Sequence, residues 1–363
     1  MKEVKVERNY SLDVVRVFAL LCVISVHFFL KNGFYDEIIQ GKTLFISIII
    51  RNFFMICVPL FMVLSGYLMN KKEPSKKYFI GIKKIIIQYI LCSLACFIFN
   101  TYYYHVNFSF YNMFFGIFNY TDAPYSWYVE MYLGLYIIIP FLNVLYNNLK
   151  TIKDKQIMLL SFILVSILPT VACMFNFKSL NIVSASVQSE KLLPTYWVGL
   201  YPITYYFVGC YLNEYKIKIP RFKNLLYILL STLVFGIVSI FVNYKNYFSW
   251  NLYQNYNSLF VFTTTILVFI FISNINISKK KHKLLKHASD SVFCAYLLSY
   301  IFDTLIYTNM LKNINNWPGK FKYIVVTAPL VFICSLVSSM ILMYVIKNIK
   351  KVLPKRGDIN AKI

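Results

Sequence analysis

Ten runs of roughly 20 apolar residues recur along this 363-residue chain, and they leave it few folds. A helix needs about 20 such residues to cross the hydrocarbon core, and in lipid each backbone polar group must be satisfied inside the segment. The runs lie near 12–31, 44–69, 79–100, 126–146, 156–174, 196–213, 223–243, 256–274, 287–307 and 321–346. The expected fold class is all-α, a polytopic membrane helix bundle of about ten transmembrane helices. No polar stretch is long enough to form a soluble domain, so residues 1–363 read as a single integral membrane domain. The sixth run is the weakest, being short and interrupted by Pro202.

Charge sets the orientation. Only 14% of residues are charged, yet the formal net charge is +23. A basic excess of that size invites a nucleic-acid reading, but the Lys and Arg residues fall in short clusters between apolar runs. That pattern suits positive-inside topology and anionic headgroups, and excludes nucleic acid as the expected partner. With the N-terminus placed in the cytoplasm, 27 of the 37 Lys and Arg residues fall on the inner side and 8 on the outer, alternating loop by loop. Arg16 and Arg51 lie within runs. Ten spans with both termini cytoplasmic satisfy this count.

The eight cysteines all sit inside apolar runs without zinc spacing, so they read as core side chains and no metal is expected. No cleavable signal peptide is expected, because the first run contains charges and lacks a small-residue cleavage pattern. The outer segment 101–125 has no Lys or Arg and many aromatics. It reads as an aromatic belt at the headgroups, with a re-entrant or lid segment as the alternative. No internal repeat is present, which argues against transporter folds built from repeats.

The polar residues inside the spans carry the functional argument, since charges at membrane depth are costly and tend to line cavities or pathways. Span one reads DVVRVFALLCVISVH from Asp13 to His27. Arg16 and His27 are eleven residues apart, which returns to nearly the same helix face three turns on, roughly 16 Å along the axis. Asp13 joins that stripe three residues before Arg16. The topology places Asp13, Arg16 and Asp290 in an inner polar layer, and His27, Arg51, Glu130 and Asp303 in an outer one. The outer layer has parts for acid–base chemistry: a His to take a proton, an acid to hold its other nitrogen, and an Arg to meet developing negative charge. Ion pairs that only lock helices together are the competing reading, and for Asp303 so is a helix end facing headgroups. His105, His282 and His287 read as solvated loop residues.

Four segments then carry a resemblance. RNYSLDVVRVFALLCVISVH resembles the first helix of the acyltransferase-3 family, with its L-D-x-x-R opening and R-x10-H spacing at Asp13, Arg16 and His27. VPLFMVLSGYLM (58–69) is similar to the family's P-x-F-F-x-x-S-G-Y/F run, SWYVEMYLGLYIIIPFLN (126–143) to its W-x5-Y-L-x6-P helix, and ASDSVFCAYLLSYIF (288–302) to its S-x-x-x-Y-L-x-H segment. The His that often ends the last motif is Ser299 here, and Glu130 matches no family acid. The resemblance implies transfer of an acyl group, usually acetyl, from cytoplasmic acetyl-CoA to a sugar hydroxyl of a cell-envelope glycan or its lipid-linked precursor.

On that reading His27, Glu130 and Arg51 are the catalytic candidates. Arg16, Asp13, Ser65, Gly66, Trp127 and Lys71 are the candidates for donor and substrate binding. Arg suits a CoA pyrophosphate by bidentate hydrogen bonding, and Gly66 would let backbone approach it closely. Positive-inside anchoring is the plainer reading of Lys71 and Lys72. His27 would act as base on the acceptor hydroxyl or as a transient acyl carrier. Acetyl-CoA is expected as co-substrate, with membrane lipids and a glycan or lipid-linked sugar as partners, in a bacterial plasma membrane. The alternatives are an exporter or flippase for polysaccharide or lipid-linked sugar, whose path the same polar stripe could line, and a non-catalytic subunit of a glycan synthase.

Overall fold

The computed structural model describes residues 8–172, 174–176, 181–182, 192–250, 252–277 and 282–352. The first three spans are α1 (Tyr10–Lys31), α2 (Lys42–Phe54) with α3 (Cys57–Met69), and α4 (Lys76–Ile80) with α5 (Ile82–Tyr103). A short α6 (Phe110–Phe118) precedes α7 (Trp127–Asn148), then α8 (Ile152–Ser166) and α9 (Pro169–Ala172). Helices α10 (Tyr201–Tyr215), α11 (Arg221–Asn243), α12 (Leu259–Ser273), α13 (Lys283–Leu311), α14 (Trp317–Phe321) and α15 (Ile324–Val352) complete the bundle. Two two-residue strands, β1 (Phe175–Asn176) and β2 (Asn181–Ile182), pair antiparallel in the long outer loop.

Each of the ten expected runs forms helix. Among the described residues, eight helices or joined helix pairs are long and apolar enough to cross a membrane. The expected sixth and eighth spans form 15-residue helices, α10 and α12. The second span is broken at Met55–Ile56 because Pro59 has no N–H to give and its ring crowds the carbonyl four residues back. The chain there tightens, with Ile56 N–H bonding to the Phe53 carbonyl.

Burial separates centre from periphery. In α1, α2–α3 and α13, 61–72% of the most apolar stretch is buried, against 28–39% in α5, α7, α8–α9, α11 and α15. The latter present Leu, Ile and Phe outward, as lipid-facing helices do. Helix α10 is central despite its length: Thr204, Tyr205, Tyr206, Phe207 and Cys210 are all fully covered. It lies closest to α3, where Gly66 and Gly209 face each other's backbones. A Cβ on Gly66 would stand 1.9 Å from the Tyr206 carbonyl oxygen, and one on Gly209 would stand 2.0 Å from that of Val63. Small residues permit this approach, as in other membrane helix pairs.

The loops gather into two sets. At one end Arg8 reaches Asp290, Ser11 reaches the Ser273 carbonyl, Asn147 reaches that of Asn70, and Lys155 pairs with Glu214. At the other, the Glu37 carboxylate accepts from the Trp317 amide, while residues 38–39 pair with 245–247. Lysine-rich loops form the first set, as the alternating count requires, and α1 and α13 run parallel between the two ends. The terminal segments 1–7 and 353–363 and residues 279–281 of the basic 279–286 loop lie outside the described residues, as do Cys173, Lys178 and Lys191. Within 101–125, α6 exposes Phe110, Tyr111, Phe114 and Phe118, rings suited to the headgroup layer.

Candidate active site

Helix α1 carries the site because one of its stripes is polar at both ends. Asn9 caps it, accepting from the Ser11 amide. At the inner end the buried Asp13 carboxylate accepts from Arg8 Nε (2.6 Å) and Nη2 (2.8 Å), Arg16 Nη1 (3.1 Å) and Ser289 Oγ (2.7 Å). Arg8 also donates to Asp290 at 2.8 Å. The hydrogen bond to Asp13, reinforced by Asp290, holds the Arg8 guanidinium above its ordinary pKa. Asp13 is therefore occupied in positioning Arg8 and Arg16. Only Arg16 of that trio lines the cavity above.

That cavity has a volume of about 430 Å3 and is walled by α1, α3, α5, α7 and α13. Arg16, Lys84, Asp290 and Ser289 stand at its inner mouth, Ser65 and Gln88 line its side, and Val23, Val58 and Phe61 make it apolar further in. Tyr128, Tyr132 and Tyr296 border it. The basic, polar entrance and apolar interior suit a thin amphipathic group with an anionic head.

Tyr296, in the cavity wall, is the lining residue whose ring neighbours His27. Its ring centroid lies 6.5 Å from the imidazole, and its hydroxyl donates to the Tyr125 carbonyl oxygen. Tyr125 stacks on His27 with centroids 3.6 Å apart and planes 27° from parallel. The Tyr125 hydroxyl donates to Asp303 Oδ2 at 2.8 Å, and the same oxygen lies 3.3 Å from His27 Nδ1. Asp303 is 0% exposed, and no Lys or Arg among the described residues pairs with it. His27 is its cationic partner when protonated. On the outer side Lys31, one turn beyond His27, places Nζ over the Tyr125 and Tyr300 rings, 5.9 and 5.2 Å from their centroids. Among the described residues Nδ1 makes no hydrogen bond, so the 3.3 Å approach is a charge contact; a carboxylate beside Nδ1 favours the tautomer protonated there, with Nε2 as the free nitrogen.

The sequence candidates divide accordingly. Arg16 and Ser65 line the cavity and His27 lies beyond it, past Tyr296, although the Ser65 hydroxyl bonds back to the Phe61 carbonyl of its own helix. Asp303, the outer acid with the weakest prior claim, is the one that reaches His27. Glu130 is exposed on the flank of α7 and is not brought to His27. Gly66 faces α10, so its missing side chain serves helix packing rather than approach to a ligand. Trp127 stacks on Tyr256 at 5.6 Å and stays 40% exposed; its neighbour Tyr128 lines the cavity instead. Lys71 borders a separate polar hollow with Lys72, Asn143 and Asn147. Arg51 is held among Tyr35, Asn52, the Gln254 carbonyl, Phe248 and Trp250, and none of its contacts is to His27. Sequence reasoning missed Lys84, Tyr125 and Tyr296. Tyr125 had a signal of sorts, as an aromatic in APYSW just before a span that begins at the outer face. No group of three or more His, Cys, Asp or Glu residues among those described could hold a metal.

The fold is thus an all-helical membrane bundle in which a buried His–Asp pair lies one ring away from a cavity with Arg16 and Lys84 at its mouth. The family model for an acyltransferase domain, that of the acyltransferase-3 family, matches residues 9–347, and the chain belongs to that family. It is a multi-pass membrane acyltransferase. No curated protein and no solved structure matches the chain significantly.

Proposed function

We propose that this protein is an O-acyltransferase that moves acetyl from cytoplasmic acetyl-CoA to a sugar hydroxyl of a cell-envelope polysaccharide or its lipid-linked precursor. The observation that supports it best is the order of groups along α1: the basic inner mouth at Arg16 and Lys84, the cavity with Tyr296 in its wall, and beyond that ring His27 with Asp303 behind it. In this reading the CoA phosphates meet Arg16 and Lys84, and the pantetheine arm lies in the apolar part of the cavity. The acceptor hydroxyl comes from the outer side. His27 Nε2 takes the hydroxyl proton as the oxygen attacks the thioester carbonyl. The C–S bond then breaks, and the proton passes to the departing CoA thiolate. Asp303 keeps the ring oriented and balances the imidazolium while it exists. The cell membrane of a bacterium is the proposed location.

Purified protein supplied with labelled acetyl-CoA and a glycan acceptor should transfer label. His27→Ala should abolish transfer while leaving expression and thermal stability intact, and Arg16→Ala should raise the donor KM about tenfold or more, as expected for a lost charge-assisted bond. Full transfer by His27→Ala, or label that never leaves acetyl-CoA with any glycan, refutes the proposal. Movement of unmodified sugar across a vesicle membrane would instead favour the exporter reading.

A further inference from the structure

Arg51 poses a charge problem that the chemistry at His27 does not use. It is 0% exposed, and no carboxylate among the described residues lies within ion-pair distance. Its Nε donates to the Tyr35 hydroxyl at 3.2 Å, and Nη1 donates to Asn52 Oδ1 and the Gln254 carbonyl, each at 3.2 Å. Nη2 is buried and meets no acceptor. The guanidinium carbon lies 4.4 Å from the Trp250 ring centroid and 4.7 Å from that of Phe248. Ring faces and neutral dipoles offset part of the desolvation of a buried cation, but a counter-charge does so far better.

We infer that Arg51 is the floor of an anion-binding site on the outer side of the protein, and that its ligand is a phosphate or carboxylate carried on a sugar. The inference rests on the reading above that a saccharide acceptor arrives from that side. Tyr35 comes from the α1–α2 loop, and Phe248 and Trp250 come from the α11–α12 connection. Backbone bonds from Lys245 N–H to the Ile39 carbonyl and from Ile39 N–H to that of Asn246 tie the two segments together. Trp250 is the outermost ring, 45% exposed, and Tyr35 stacks beside it at 5.0 Å and 29°. A half-exposed indole is a surface for the C–H face of a sugar ring. The free edge of a guanidinium is a donor for an oxyanion, and Arg provides it with fixed geometry. Rotation of Trp250 away from Arg51 uncovers both at once, so binding should report in the emission of that tryptophan.

The test uses full-length protein in phosphatidylcholine nanodiscs without acyl donor, titrated with glucose 1-phosphate, glucuronate and methyl glucoside, and read by calorimetry and tryptophan emission. The two anionic sugars should bind saturably, with the neutral sugar weaker by about 30-fold or more, the scale of one charge-assisted contact. Arg51→Lys, which keeps the charge without the fork, should bind more weakly than wild type, and Arg51→Gln should lose the preference for anions. Trp250→Phe should retain binding and lose most of the emission change. Equal binding of neutral and anionic sugars, wild-type affinity in both Arg51 variants, or no binding at all overturns the inference, and the comparison among sugars needs no variant to fold. If nanodiscs of phosphatidylglycerol alone produce the emission change, the site takes a lipid phosphate and the assignment to a sugar-borne anion falls. Because binding is read without acetyl-CoA and also in His27→Ala, its failure leaves the acyl-transfer reading standing, and the reverse holds too.

Discussion

Replacing Asp303 by Asn keeps the shape of the side chain and removes its charge, which isolates what the carboxylate does for His27. The amide oxygen can still accept from the Tyr125 hydroxyl, whose bond is 2.8 Å long, so the stack on the imidazole should persist. The electrostatic loss can be worked out. Two unit charges 3.3 Å apart, the His27–Asp303 separation, attract by about 5 kcal/mol at an effective dielectric near 20. If about half a positive charge has reached the imidazole in the transition state, the loss is ~2.5 kcal/mol, or about 70-fold in kcat. Asp303 does not line the cavity, so the donor KM should hold within a factor of about two. The assay is labelled-acetyl transfer by purified protein across a donor titration, with a thermal melt to confirm folding. A variant with wild-type kcat, or one whose whole defect is in donor KM, would show that the carboxylate does not support a charge on His27.

Other substitutions probe the frame around that pair. Gly66→Val should cost about 3 kcal/mol or more, because its Cβ collides with the Tyr206 carbonyl, whereas Gly134→Ala, with nothing within 4 Å, should change stability by no more than about 1 kcal/mol; fluorescence-detected size-exclusion melts separate the two. Asp122, in the segment between α6 and α7, has its carboxyl pushed up to about 6 by burial. The folded protein therefore holds this proton more tightly than the unfolded chain, so the Asp122 contribution to stability is complete below pH ~4 and is lost as pH rises through about 6. Asp122→Asn should melt higher than wild type at pH 8, with the gap closing toward pH 4; a gap independent of pH contradicts this. Glu130→Gln should retain transfer within about twofold of wild type, since its side chain lies on the outer flank of α7; a loss of 100-fold would return it to the chemistry.

Depth along each span was readable from residues, while rotation about each helix axis was not. The charge count placed His27, Glu130 and Asp303 at one level, and that level carries the His27–Asp303 pair. It could not say which acid turns inward, because that depends on partners distant in sequence. For α7 the turning was partly visible. Tyr128, Tyr132 and Tyr136 recur every four residues, and the structure puts the first two on the cavity and the third against Tyr78 at 4.6 Å. Glu130, two residues on from Tyr128, falls about 200° around the helix. The run 44–69 forms one span, Lys42–Met69, whose break between α2 and α3 has a local reason, Pro59, while the weakness of the sixth span has a tertiary one. Helix α10 has an apolarity deficit because its neighbours are protein and supply hydroxyl and carbonyl partners to its tyrosines. Tyr205 bonds to the Tyr256 carbonyl and Tyr206 to Asn143.

The 15 residues of α10 rise by only about 22 Å, and the 3-10 turn Tyr196–Leu200 that leads directly into them brings the whole element to about the 30 Å of a hydrocarbon core. Little of that element's α-helical part faces lipid, because α10 is wrapped by α3, α8 and α7 and buried along most of its length. The helices that meet acyl chains are the long outer ones, α5, α7, α11 and α15. Bilayer thickness therefore acts on the rim of this protein, and the helix that anchors α3 beside the cavity is insulated from whichever membrane surrounds it.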